Sequence, residues 1–73
     1  MISIISSTPA PYKVVDGVAK SRELFTLAGL STDTKPVTEY KGILIRNGST
    51  FIEMNTGDAY MYDEANSVWR KLG

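Results

Sequence analysis

Hydrophobic and polar positions along this chain alternate over short runs, and turn residues break those runs every few positions. The pattern is that of strands rather than helices. The one stretch with helical spacing carries Leu24, Phe25, Leu27, Ala28 and Leu30. It is short, Gly29 interrupts it, and the Ser21 position lacks the acidic residue of a capping box. A strand over residues 22–27 is the better reading.

The C-terminal half carries the clearest signals. Residues 42–46 and 49–54 flank Asn47-Gly48. Asn-Gly between two β-rich runs predicts a two-residue hairpin, because both residues tolerate positive φ. That turn places Ile43, Ile45, Thr50, Ile52 and Met54 on one face, the expected core face. It places Leu44, Arg46, Ser49, Phe51 and Glu53 on the other. Asn55-Thr56-Gly57 predicts the next turn, residues 58–62 a returning strand, residues 63–66 a further turn, and residues 67–72 the last strand. The expectation is a four-strand antiparallel meander over residues 42–72.

The N-terminal half reads less sharply. Asp16-Gly17 predicts a turn between residues 12–15 and a returning strand that begins at residues 18–20. Residues 31–39 form a loop by composition, with Asp33 able to cap backbone and Pro36 fixing a dihedral. Pro9-Ala10-Pro11 disfavours helix and central strand. Residues 1–11 are therefore expected to be a flexible arm. The alternative is an edge strand from Met1–Ile5, added in cis or onto another copy. A meander with one apolar face needs a lid. Val14, Val15, Val18, Leu24, Phe25, Leu27 and Leu30 are the material for it. The expected fold class is all-β: a small antiparallel meander, barrel-like or sandwich-like, in a single domain over residues 12–73.

Composition narrows the chemistry. With 73 residues the chain is one domain at the margin of independent stability, a condition that a partner or a second copy relieves. It has no cysteine, which excludes disulfides and thiolate metal sites, and no histidine, the usual general base and zinc ligand. Eight basic residues balance eight acidic ones and are scattered along the chain. That balance argues against a nucleic-acid footprint and a polybasic membrane anchor, and it favours association. The first ten residues lack the basic flank and apolar core of a signal peptide, so the chain is expected to be made in a cytoplasm, without export by its own signal.

Catalytic candidates are few. Serines and threonines have no histidine to activate them, and the six glycines are singly spaced, without a phosphate-cradling loop. Glu53, Asp58, Asp63 and Glu64 are the carboxylates that a glycosidase pair or, with Asn55, an oxygen-ligand metal site would draw on. Their turn positions suit solvated acids better. The expectation is no enzyme, no cofactor and no metal.

Tyr60, Tyr62 and Trp69 crowd into ten residues, with Phe51 on a neighbouring run. Tyr60 and Tyr62 share a face by strand periodicity, and Trp69 lies on the adjacent strand near Tyr62. Two roles are open to them: cross-strand core pairs, or a contact surface, since Tyr and Trp are favoured at interface hot spots. The candidate interaction residues are Phe51, Tyr60, Tyr62 and Trp69, with Ile43 and Ile45 as core or contact.

Two resemblances attach to these residues. The run Ala59-Tyr60-Met61-Tyr62-Asp63-Glu64-Ala65-Asn66-Ser67-Val68-Trp69 resembles the strand–turn–strand end of a kelch propeller blade, without the paired glycines that precede it there. More of the chain resembles short proteins encoded by tailed phages and prophages. The resemblance is carried by Gly48-Ser49-Thr50-Phe51-Ile52-Glu53-Met54-Asn55-Thr56-Gly57-Asp58-Ala59-Tyr60-Met61-Tyr62-Asp63 with Trp69, and by Gly29-Leu30-Ser31-Thr32-Asp33-Thr34-Lys35-Pro36. It implies a virion-associated part and carries no catalytic residues. The expected function is a non-enzymatic structural or protein-interaction module. It would act by self-association as a homo-oligomer or by docking on a capsid, tail or fibre protein. The alternatives are a small glycan- or cell-wall-binding module with an aromatic platform, and a host-directed phage regulator.

Overall fold

The computed structural model describes residues 1–72 and is all strand. Seven strands follow in order: β1 (Ser3–Val15), β2 (Val18–Gly29), β3 (Glu39–Tyr40), β4 (Ile43–Ile45), β5 (Thr50–Glu53), β6 (Ala59–Asp63) and β7 (Val68–Lys71). They form one curled sheet, a half-barrel. The all-β, barrel-like class expected from the pattern holds.

β2 is the spine. β1 pairs with it antiparallel along one side. β4 and β5 take successive stretches of its other side, and both run parallel to it. β3 extends the sheet from β4, while β6 and then β7 extend it from β5.

The turns explain the connections. Asp16 and Gly17 adopt φ of 52° and 78°, the doubly positive conformation of a primed hairpin turn, and they join β1 to β2. Lys41 and Gly42, at 53° and 80°, do the same between β3 and β4. Gly57 sits at φ 78° in the β5–β6 turn, at the place the sequence assigns it.

Asn47-Gly48 is the correction. Gly48 does take a positive φ of 92°, and the Ser49 N–H donates to the Arg46 carbonyl at 3.1 Å. The chain does not reverse there, because β4 and β5 both run parallel to β2 instead of pairing with each other. Glu23 pairs with Ile45 and Thr26 with Thr50, so residues 46–49 lie against only Leu24 and Phe25. The segment is a jog in a strand, not a hairpin. The antiparallel meander is accordingly three strands, β5–β6–β7.

The jog also reverses the predicted faces. A hairpin would flip the side-chain alternation at residue 47. A jog that adds an even number of residues preserves it. Ile45, Ser49, Phe51 and Glu53 therefore all point inward, and Met54 is exposed. Thr50 and Ile52, expected in the core with Ile43 and Ile45, are only half-buried.

Residues 1–11 also differ from a flexible arm. β1 takes in Ser3–Ala10, and the edge-strand alternative describes it. The prolines are tolerated because β1 has a partner on one side only. Pro11 lies at the register shift between Ala10 and Lys13, outside the ladder.

The core is Phe25, Leu27, Ile45, Phe51 and Tyr62, with Ile2, Tyr40, Ile43, Tyr60 and Trp69 packed against it. The loop between β2 and β3 closes over it. The Trp69 indole N–H donates to the Pro36 carbonyl at 2.7 Å, and the Thr38 N–H donates to the Tyr62 hydroxyl at 2.6 Å. The lid thus comes from residues 30–38 and not chiefly from the N-terminal valines.

Candidate functional site

The four aromatics expected as core pairs or contact surface, and Ile43 and Ile45 expected as core or contact, lie inward. Phe51 and Ile45 are fully buried and Tyr62 is 2% exposed. Ile43, Tyr60 and Trp69 are half-buried against them. Trp69 meets Phe51 edge-on with ring centroids 5.9 Å apart, and Tyr62 at 4.9 Å. Tyr62 and Trp69 are direct cross-strand partners. The rings pack edge-on and tilted against one another, an arrangement that stabilises a small sheet. In this chain the set packs as core and cross-strand pairs, one of the two roles open to it, with Ile43, Tyr60 and Trp69 still half-exposed.

Tyr60 is capped as well. The Lys35 ammonium lies 4.3 Å from the Tyr60 ring centroid and 4.9 Å from that of Phe51. It donates to Glu53 Oε2 at 2.6 Å, and the Thr56 hydroxyl donates to Glu53 Oε1 at 2.8 Å. Glu53 is a buried carboxylate with both oxygens occupied. The hydrogen bond from Lys35, then that from Thr56, hold its pKa below the ordinary glutamate value against the opposing effect of burial. This ion pair fastens the loop to the sheet.

The other acids are engaged too. Asp58 faces the Lys71 ammonium at 3.5 Å, and Asp63 accepts from Arg70 Nε at 3.0 Å and from the Asn66 side chain at 2.9 Å. The Asn55 side chain is bonded to Ser31. Among the described residues, no three Asp or Glu side chains converge on one point.

Glu64 is the second fastening. Its carboxylate accepts the Asn47 N–H at 2.9 Å, Lys13 Nζ at 3.3 Å and Arg22 Nη1 at 3.3 Å, and the Asn47 side-chain oxygen accepts the Glu64 N–H at 3.1 Å. Burial pushes its pKa up. The Asn47 amide and the two cations outweigh that and hold it below the ordinary value. One acid thus ties the β1–β2 hairpin, through Lys13 and Arg22, to the jog and to the β6–β7 turn. A cleft of about 210 Å³ lies beside it, lined by Lys13, Lys20, Leu44 and Tyr62 among others.

What remains exposed is the hairpin itself. Residues 18–21 of β2 have no strand on their second side, so the tip overhangs the sheet. Tyr12, Val14 and Val18 are 73%, 66% and 58% exposed there. At the other end of β1, Ile4 and Ile5 are exposed at 44% and 60%. The outer edge of β1 makes no backbone hydrogen bond among the described residues. The sequence pattern points first to the aromatics and reaches this surface only through the alternative of a Met1–Ile5 edge strand. Its signal was present in a run from Met1 to Tyr12 that holds three isoleucines and no charged side chain.

No protein family, curated protein or solved structure matches this chain.

Proposed function

We propose that this chain is a non-enzymatic structural module that works by self-association, a small β part of a tailed-phage or prophage particle. The observation that carries the reading is the β1–β2 hairpin. It holds Ile4, Ile5, Tyr12, Val14 and Val18 in solvent while Glu64 fixes it to the body through Lys13 and Arg22. An anchored apolar ribbon loses little conformational entropy when a partner covers it. The formal charge of zero supports the reading, since copies meet without long-range repulsion. The phage setting is supported by the resemblance in residues 29–36 and 48–69.

The test is the solution mass, by light scattering behind size exclusion, from about 1 µM to about 1 mM, the span over which contacts of about 8 to 4 kcal/mol form. A dimer or larger species that dissociates on dilution is expected. A single species of 8.0 kDa at every concentration overturns self-association and directs the search to docking on a different virion protein.

A further inference from the structure

Among the described residues the half-barrel leaves the outer sides of β1, β3 and β7 open, besides the short hairpin tip of β2 over residues 18–21. Open edges invite another strand, and proteins guard them with charge, brevity or proline. β7 carries Arg70 and Lys71 in four residues. β3 is two residues long and carries Glu39. β1 is different. From Ser3 to Thr8 it has no charged side chain, it presents Ile4 and Ile5 to solvent, and its outward backbone groups are unpaired among the described residues. Pro9 and Pro11 lack N–H donors and end the permissive stretch.

We propose that a second copy of this chain docks on the outer edge of β1, strand against strand and antiparallel over Ser3–Thr8, joining the two sheets about a two-fold axis. The proposal rests on the self-association reading above and names its contact. An uncharged serine–threonine–isoleucine strand has nothing to select a charged partner and meets no like charge in its own copy. Antiparallel self-pairing over Ser3–Thr8 sets Ser3 against Thr8 of the other copy, a favourable hydroxyl pair, and sets Ile4 and Ile5 against Ser7 and Ser6. The same features make the assembly close. An isologous contact uses the one permissive edge of each copy, and the charged β7 edge offers no continuation, so the product is a dimer rather than a fibre. Pro9 ends the shared stretch at about six residues and the register shift between Ile4 and Ser6 interrupts it, so the contact is small and reversible.

The experiment compares the intact chain with Ile5→Lys and Met61→Lys by light scattering over the same concentrations. Circular dichroism establishes that each variant is folded. Ile5 sits at the register shift, exposed and outside the core, so the change loads the edge without touching the packing. Met61 is 43% exposed on β6, away from this edge. The expected result is a dimer for the intact chain and for Met61→Lys, and a monomer for Ile5→Lys. Amide exchange of the intact chain gives an arm that needs no variant: protection over residues 3–8 is expected to rise with concentration. A dimer that persists in folded Ile5→Lys, with unchanged exchange at residues 3–8, overturns the β1 contact and leaves self-association standing. An intact chain that stays monomeric overturns both.

Discussion

At the scale of single residues, the fold depends on a few side chains with no spare room or spare partner. An added Cβ at Gly29 would lie 2.8 Å from Phe51 Cζ and 3.1 Å from Asp33 Oδ2. Phe51 is fully buried, so its ring has nowhere to retreat. Gly29→Ala is expected to cost about 1–3 kcal/mol through overpacking, read as a lower midpoint in urea unfolding. Glu53 sets a different dependence, on pH. Its folded pKa is lowered, chiefly by Lys35 and then by Thr56. The stability it contributes is complete above the ordinary glutamate value of 4.5 and disappears as the pH falls through the lowered folded value. Asp63, lowered by Asn66 and then Arg70, acts in the same direction below its ordinary value of 3.8. The melting temperature is therefore expected to drop on acidification from pH 5 to about pH 2. Glu53→Gln should melt lower than the intact chain at pH 7 and fall less steeply with acid. A parallel pair of melting-temperature curves would show that the Lys35–Glu53 pair contributes nothing.

At the scale of elements, the decisive feature is the jog between β4 and β5. Four residues oppose two of β2, and the interrupted ladder is repaired by Ser49. Its buried hydroxyl accepts the Phe25 N–H at 3.0 Å and donates to the Arg46 carbonyl at 2.8 Å, while the Arg46 N–H donates to the Glu23 carbonyl at 3.0 Å. Ser49→Ala leaves the Phe25 amide unpaired in the core. The expected loss is about 1–3 kcal/mol, with faster hydrogen exchange at Phe25 than at Leu27. Gly48→Val is expected to cost about 1–2 kcal/mol because a β-branched residue resists φ of 92°. A Cβ alone has ordinary room beside Leu24, at 3.8 Å, so Gly48→Ala isolates the backbone strain. This position also shows how far the sequence could be read. Asn-Gly reports positive φ, and positive φ was found. Whether the chain then reverses depends on β2, some twenty residues away, whose long free side captures β4 and β5 in parallel. Parallel pairing leaves no local signature. The hairpin that does form in this region uses Lys41-Gly42, whose flanking strands are too short to stand out. The turns at Asp16-Gly17 and Gly57 were legible because their strands pair with immediate neighbours. The aromatic set was legible as a cluster and as the Tyr62–Trp69 pair. Core was one of the two roles left open for it, and the choice depends on the loop of residues 30–38 arriving from outside the sheet.

At the scale of the molecule, a small interior carries a long ribbon. The chain extends 40 × 21 × 18 Å, and five residues make up the buried cluster at its centre. Twelve large hydrophobic residues remain exposed among the described ones, five of them on β1 and the first residue of β2. A domain of this size gains little from its own core, so covering even part of the ribbon is a sizeable fraction of its stability. Association and folding are then linked. If copies join in the folded state and not in the unfolded one, mass action raises the melting temperature with concentration. For a chain of this length the rise is expected to be about 2–5 °C per tenfold increase within the range where the dimer forms. Ile5→Lys should melt at one temperature throughout that range, equal to the dilute limit of the intact chain. Differential scanning calorimetry at three or more concentrations checks both. An intact chain whose melting temperature ignores concentration, while its mass shows a dimer, would place the contact in a species that unfolds without dissociating, and the link between ribbon and stability would fall.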